Sequence, residues 1–184
     1  MQQTALHASH IENGAKMGEF AGYEMPLYYK EGVIKEHEWV RNHIGCFDVS
    51  HMGQVTIKGE GVAEFLEQLT PSAFQPKKDG RAQYTVLLNE DGGILDDLII
   101  TRISENKFYT VINAGRKEED IAWIESQLPV GLQLIHHTDR SLIAVQGPWA
   151  ERALHEVLQI KTHELPYMHM MVAEAPDGSE MFVS

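Results

Sequence analysis

The residues with the clearest capacity for chemistry are two adjacent acids, Asp96 and Asp97, within the otherwise apolar stretch 92–100. Adjacent side chains on a strand point to opposite sides of the sheet, so one carboxylate can face solvent while the other faces the interior. A carboxylate buried without a partner is strongly disfavoured or takes up a proton. The inward acid therefore indicates either a cap or salt bridge at the strand start, or a site that holds a polar ligand or polarises a nitrogen or oxygen atom. The pair by itself leaves both interpretations open.

The amino-acid composition excludes several classes of partner. The chain has 184 residues and is 43% hydrophobic, which is enough for one good core or two small ones. Its 15 Lys and Arg stand against 27 Asp and Glu, a net charge of −12, which argues against nucleic acid and anionic membranes as primary partners. No apolar run approaches the ~18–20 residues of a membrane span, and the N-terminus shows no secretory signal.

The cysteine and histidine content predicts neither a disulfide nor a metal site. Cys46 is the only cysteine, so an internal disulfide is impossible and a reduced, cytoplasmic setting fits best. We expect Cys46 to be a small packed residue. The 10 histidines are scattered and lack metal-ligand spacing on one predicted element.

Apolar spacing and turn residues predict alternating helices and strands. The predicted helices are 31–44, 62–69 and 117–128, and the predicted strands are 54–58, 83–88, 94–103, 107–113 and 132–135. The order from residue 53 to 138 is therefore strand, helix, three strands, helix, strand, which is the ferredoxin-like split βαβ pattern with an extra strand. We expect 83–88 and 94–103 to pair antiparallel through the glycine-containing loop 89–93.

The remainder of the chain predicts a second, incomplete α+β unit. A strand at 141–146 is followed by Gly147-Pro148 and a helix, then by a hairpin formed from 168–174 and the residues from Glu180 onward. This unit weakly repeats the first one but has no second helix and no closing strand. Since it cannot cover its sheet face, we expect the chain to be a piece of a longer protein.

Five strings of residues, in order and at fitting spacing over the whole chain, resemble the T-protein of the glycine cleavage system. They are Gly14-Ala15-Lys16-Met17, Phe20-Ala21-Gly22-Tyr23-Glu24-Met25-Pro26, Phe47-Asp48-Val49-Ser50-His51-Met52-Gly53, Asn89-Glu90-Asp91-Gly92-Gly93-Ile94-Leu95-Asp96-Asp97-Leu98 and Val145-Gln146-Gly147-Pro148. Together these strings are highly specific, although Gly-Pro or Asp-Asp alone is weak. Family members are about twice as long and continue into an Arg-Thr-Gly-Tyr-Thr-Gly-Glu motif that this sequence lacks.

The resemblance implies a fold of three domains around a central folate cavity. The ferredoxin-like module corresponds to 53–139, and 1–52 with 140–184 correspond to a discontinuous first domain that is incomplete here. The C-terminal barrel domain is absent from this sequence. We therefore expect the chain to be an inactive fragment of an α+β folate-binding enzyme.

The resemblance also implies a reaction and a catalytic acid. The family is a tetrahydrofolate-dependent aminomethyltransferase, which moves a one-carbon unit from the aminomethyl-dihydrolipoyl arm of the lipoylated H-protein to tetrahydrofolate and releases ammonia. The key acid of the family corresponds to Asp97, which can hydrogen-bond the folate N10 and stabilise cationic character during transfer. Asp96 is then its outward neighbour.

The resemblance to the T-protein family also implies further folate-binding residues. Tyr84 corresponds to a tyrosine that stacks on and hydrogen-bonds folate, and Met52 and Asn113 correspond to positions that line the cavity. Thr101 departs from the pattern, because several relatives have tyrosine there. We assign His51 a structural hydrogen-bonding role.

Two alternatives use the same folate-binding fold. One is the folate domain of a sarcosine- or dimethylglycine-oxidising enzyme or a demethylase. The other is a non-catalytic folate-binding protein that assists iron–sulfur cluster assembly. The strings around His51 and Asp97 favour the transferase, and no Gly-x-Gly-x-x-Gly fingerprint of a nicotinamide or flavin enzyme is present.

Overall fold

A computed structural model describes all 184 residues, and contacts within it divide the chain into two compact units. The first unit consists of Met1–His51 and Arg140–Glu164. The second consists of Met52–Asp139 and Leu165–Ser184. Both units are discontinuous in sequence, so the chain passes between them more than once.

Together the two units contain five α-helices and eleven β-strands. The helices are α1 (His7–Glu12), α2 (Val33–Asn42), α3 (Val62–Leu69), α4 (Lys117–Ser126) and α5 (Ala150–Leu158). The strands are β1 (Lys16–Phe20), β2 (Tyr23–Tyr28), β3 (Gly45–Asp48), β4 (Gly53–Lys58), β5 (Ala82–Leu88), β6 (Ile94–Ser104), β7 (Lys107–Ile112), β8 (Gln133–His136), β9 (Ile143–Gln146), β10 (Met171–Glu174) and β11 (Glu180–Val183). No helix is both long and apolar enough to span a bilayer.

The second unit is built on one five-stranded sheet in the order β5-β6-β7-β4-β8, and every neighbouring pair is antiparallel. Strand β7 lies between β4 and β6, while β8 lies on the other side of β4. This is the ferredoxin-like arrangement, with β5 as the extra strand at the edge. The predicted fold class is therefore confirmed, and so is the pairing of the strands that flank the 89–93 loop.

The core of the second unit lies between one sheet face and the helices α3 and α4. Helix α3 contributes an apolar stripe at helical spacing, and the sheet contributes every second residue of its strands. The buried apolar side chains are Val55, Ile57, Val62, Ala63, Phe65, Leu66, Leu69, Phe74, Leu87, Leu98, Ile100, Phe108, Ile112, Ile121 and Ile124. Full burial of a large apolar side chain contributes about 1.5–3 kcal/mol, so this cluster fixes which sheet face is covered.

The first unit contains several short elements that the sequence patterns did not predict, namely α1, β1, β2 and β3. Helix α2 ends at Asn42 rather than near Gly45, because the chain extends again at Gly45 to pair β3 with β9. Cys46 lies on β3 and is exposed, so its expected packed role is wrong.

Gly147 explains part of the Gly-Pro motif in structural terms. Its φ is +119°, in the region that favours glycine. A Cβ there would lie 2.5 Å from the carbonyl oxygen of His43 and 2.7 Å from that of Val40. Any larger residue would therefore displace backbone at the end of α2.

The last residues of the chain make their contacts within the second unit. Strands β10 and β11 pair antiparallel, and Phe182 packs edge-on against Tyr109 with 5.0 Å between ring centroids. The resemblance instead assigned 140–184 to the first domain, and the contacts divide that segment at Glu164. The family's three-domain assignment stays a prediction.

Candidate functional site

The pairing of β5 with β6 brings Tyr84 and Asp97 to one face of the sheet. Val86 pairs with Asp97 and Tyr84 pairs with Ile99, so all four side chains share the face opposite the helices. The prediction that Tyr84 and Asp97 lie on the same face is therefore confirmed. Tyr84 is 57% exposed, which makes this an open surface accessible to a ligand.

A short hydrogen bond joins the two side chains. The Tyr84 hydroxyl donates to Asp97 Oδ2 at 2.5 Å. This hydrogen bond raises the pKa of Tyr84 above its ordinary value of 10.0, and burial and the two nearby carboxylates act in the same direction. The phenol therefore keeps its proton at neutral pH and remains a donor to Asp97.

Asn113 holds Asp97 from the other side. Its Nδ2 lies 3.2 Å from Asp97 Oδ1, 3.0 Å from the Asp97 carbonyl oxygen and 3.1 Å from Asp96 Oδ1. All three neighbours only accept hydrogen bonds, so the amide nitrogen must face them. The Asn113 amide is therefore shared between the two acids and restrains both.

Asp96 is not the outward neighbour that the resemblance implied. The alternation of β6 puts it on the face of Leu98 and Ile100, which are buried beneath the helices. Its Oδ2 is buried and has no hydrogen-bond donor. The register of β6 thus directs Asp96 inward and Asp97 to the open face.

Behind Asp96 lies Asp120 of α4, which the sequence analysis did not identify. Asp120 is 1% exposed and shares the buried stripe of α4 with Lys117, Ile121 and Ile124. Burial and the neighbouring Asp96 carboxyl together raise its pKa to about 7. The sequence did contain a signal for its burial: Asp120 precedes Ile124 by four residues, which places both on the apolar side of α4.

The remaining predicted residues lie around this cluster. Met52 is half-buried directly before β4, and because Gly53 pairs with Ile112, the register places Met52 next to Asn113. Thr101 is buried on β6 and pairs with Tyr109. Tyr109 in turn donates to Gln54 Oε1 at 2.7 Å. The second unit therefore brings Asp97, Tyr84, Asn113 and Met52 to one region of the sheet.

His51 belongs to the first unit and is largely buried against aromatic rings. Its ring packs edge-on against Phe20 with 5.4 Å between centroids and lies 6.2 Å from the Tyr23 ring. This packing supports a structural role for His51 rather than one as an acid or base.

A second polar cluster lies in the first unit around Asp48, whose side chain is fully buried. Asp48 Oδ2 accepts from Thr4 Oγ1 at 2.6 Å and from His10 Nε2 at 3.0 Å, and Asp48 Oδ1 accepts from the Ser50 amide at 2.9 Å. Burial alone would raise the pKa of Asp48, but these hydrogen bonds outweigh it and lower the pKa below 3.8. The cluster holds a fully satisfied, ionised carboxylate.

The His10–Asp48 pair continues to Tyr29, whose hydroxyl lies 2.7 Å from His10 Nδ1. Burial, with Glu36 and Asp48 nearby, raises the pKa of Tyr29 above 10.0, so the phenol is not activated as a nucleophile. A groove of about 780 Å³ beside this cluster is lined by residues that include Met25, Trp39 and Phe47. No group of three or more His, Cys, Asp or Glu residues is placed to hold a metal ion.

Comparisons with known proteins show which family the chain resembles. The family model of the GCVT N-terminal domain matches residues 6–182. An aminomethyltransferase of Flavobacterium psychrophilum is 42% identical over 185 residues, covering 100% of this chain and 51% of the relative. One from Chlorobium phaeovibrioides is 44% identical over 173 residues, covering 92% of this chain and 47% of the relative.

A solved structure of an aminomethyltransferase is also similar to this chain. The glycine cleavage system aminomethyltransferase T from Bartonella henselae superposes with a TM-score of 0.87 at 40% identity, covering 92% of this chain and 46% of that one. The chain spans about half the length of the curated relatives it matches.

Proposed function

Because the chain belongs to the family of the GCVT N-terminal domain, the T-protein family, we propose that it forms the acid-bearing half of a tetrahydrofolate-dependent aminomethyltransferase. The transferred one-carbon unit comes from the aminomethyl-dihydrolipoyl arm of the lipoylated H-protein, and ammonia is released. The relatives named above are aminomethyltransferases, and none of those named is an oxidase or an iron–sulfur assembly protein.

The observation that carries this proposal is the position of Asp97. Its carboxylate lies on an open sheet face, with the Tyr84 hydroxyl on Oδ2 and the Asn113 amide near Oδ1. Two donors restrain the carboxylate while lone pairs remain for a ligand. Such a group can accept a hydrogen bond from an amine N–H and stabilise positive charge that develops on that nitrogen.

The residues present fit the folate that the family implies. When bound, tetrahydrofolate supplies the amine nitrogens that take up the one-carbon unit. The flat exposed ring of Tyr84 offers a stacking surface, and Ile99, 39% exposed, offers an apolar one on the same face. Asp97 holds and orients the amine, and Met52 with Asn113 forms the end of the site nearest β4 and β7.

Transfer assays on the product of the complete reading frame test this function. Purified protein, aminomethylated H-protein and tetrahydrofolate should yield 5,10-methylenetetrahydrofolate and ammonia in equal amounts. Omission of tetrahydrofolate should reduce ammonia release to a small fraction. Ammonia release that is independent of folate, or folate binding without any transfer, would contradict the proposal.

A further inference from the structure

The interface between α4 and β6 contains three carboxyl oxygens that lack hydrogen-bond donors. They are both oxygens of Asp120 and Oδ2 of Asp96, and all three are buried. Asp96 Oδ1, by contrast, accepts from Asn113. A buried carboxylate without a donor is strongly disfavoured, so this cluster needs a source of compensation.

The neighbouring charges supply only part of that compensation, because Arg116 lowers the pKa of Asp120 by less than burial and Asp96 raise it. Arg116 Nε lies 3.6 Å from Asp120 Oδ1, beyond hydrogen-bond distance, and the Arg116 side chain is 47% exposed. Glu119 adds a further negative charge near Asp120.

A proton between the two acids joins Asp96 Oδ2 to one Asp120 oxygen and so satisfies two of the three oxygens. A carboxylate only accepts hydrogen bonds, whereas a protonated carboxyl also donates one. Two facing carboxyl groups can therefore bond to each other only when one of them holds a proton. We propose that Asp120 and Asp96 share one proton between α4 and β6, and that this pair positions the acid on the opposite face of the sheet.

The connection to the opposite face runs through Asn113. With Oδ2 bonded to Asp120, Asp96 keeps Oδ1 for the Asn113 amide. Asn113 then directs its nitrogen to Asp97 as well, at both the carboxylate and the backbone carbonyl. Asp96 and Asp120 are positioning residues in this scheme, and their link to catalysis rests on the function proposed for Asp97.

The electrostatics of Asp120 agree with a retained proton. Burial and Asp96 together raise its pKa to about 7. Proton loss from the pair near neutral pH would leave two buried negative charges in contact. We expect this repulsion to rotate Asp96 and loosen its bond to Asn113.

Nuclear magnetic resonance on the isotope-labelled 184-residue chain tests the pair directly. The side-chain carboxyl carbon of Asp120 should titrate near pH 7, and the side-chain amide of Asn113 should shift with the same midpoint. An Asp120 carbon that titrates near pH 4, like an exposed aspartate, would overturn the proposal. So would an Asn113 amide that does not respond between pH 6 and 8.

Two variants and a control separate this coupling from general effects of pH. Asp120→Asn and Asp96→Asn should each remove the pH-7 transition from the Asn113 amide. Glu125→Gln removes one exposed acid from the same helix and should leave the transition unchanged. Persistence of the transition in a folded Asp120→Asn variant would contradict the proposal, and the wild-type titration decides the question if that variant fails to fold.

Transfer assays on the product of the complete reading frame then test the positioning role apart from the proposed function. Asp120→Ala should lower kcat about tenfold, as expected for loss of one strong hydrogen bond, with little change in KM. Asp120→Asn, which restores a donor to Asp96, should recover most of that loss. Wild-type protein without folate-dependent transfer would refute the proposed function alone, whereas equal kcat for wild type and Asp120→Ala would refute the positioning role alone.

Discussion

Asp48 in the first unit and Asp97 in the second are both aspartates within hydrogen-bonded clusters that include a tyrosine, and they differ in what surrounds them. Asp48 is fully buried and accepts from three donors of its own unit, and no lone pair faces solvent. Asp97 is bonded to an exposed tyrosine on an open sheet face. Hydrogen bonds within the fold already occupy the Asp48 carboxylate, whereas the Asp97 carboxylate keeps acceptor capacity for a ligand. Shared residue types therefore say little about function until exposure and donor count are known.

The largest expected effect is the loss of stability from Asp48→Ala. This change leaves Thr4, His10 and the Ser50 amide without their acceptor, and removing one partner of a buried charged pair costs about 3–5 kcal/mol. Urea unfolding at pH 7 measures it. Asp177→Asn is the control, because Asp177 is exposed and bonds only within its own turn, so its effect should be far smaller. Equal losses would remove the distinction between the two kinds of acid.

Asp97→Asn should have the opposite profile, with near-normal stability and impaired turnover. The amide keeps the shape but removes the charge that we propose stabilises the amine, so kcat should fall on the order of 10²-fold. Transfer assays and urea unfolding should be run on the same preparation of the product of the complete reading frame. Asp91→Asn, in the exposed loop before β6, should keep wild-type turnover. A stability loss from Asp97→Asn as large as that from Asp48→Ala would show that both acids are structural.

The pH dependence of stability distinguishes Asp120 from both acids. With an ordinary pKa of 3.8 when unfolded and about 7 when folded, the native state binds more protons between these values. The contribution of Asp120 is therefore complete below pH 4 and is lost as pH rises through 7. Between pH 4 and 8, the unfolding free energy of wild type should fall by about 4 kcal/mol relative to Asp120→Asn. Parallel curves for the two proteins would show that Asp120 titrates normally.

The smallest expected effect comes from Tyr84→Phe. The ring remains for stacking, and only the hydroxyl that restrains Asp97 is lost. We expect about a tenfold drop in kcat/KM, the usual size for one hydrogen bond to a charged group. Tyr167→Phe is a matched control, since Tyr167 is 88% exposed in the same unit and only its backbone carbonyl accepts a hydrogen bond. A loss equal to that from Asp97→Asn would indicate that the hydroxyl itself takes part in the reaction.

Much of the second unit follows from local patterns. Apolar alternation and the 89–93 loop predicted the pairing of β5 with β6, and alternation within the pair put Tyr84 and Asp97 on one face. The first unit was harder to predict, because its strands β1, β2 and β3 are four to six residues long and pair in two-stranded sheets with little periodicity. For such short strands the pairing partner supplies the stability that sequence periodicity would otherwise signal.

By itself, the sequence determined the family and the order of elements in the ferredoxin-like module, and it predicted the acid on which the proposed chemistry depends. It could not determine which of the two adjacent acids points inward, because alternation states only that they differ. The packing of α3 and α4 decided this by covering the face that carries Leu98 and Ile100. The same packing placed Asp120 behind Asp96, although 24 residues separate them in sequence. Burial and charge coupling depend on distance in space, so only the tertiary structure could reveal them.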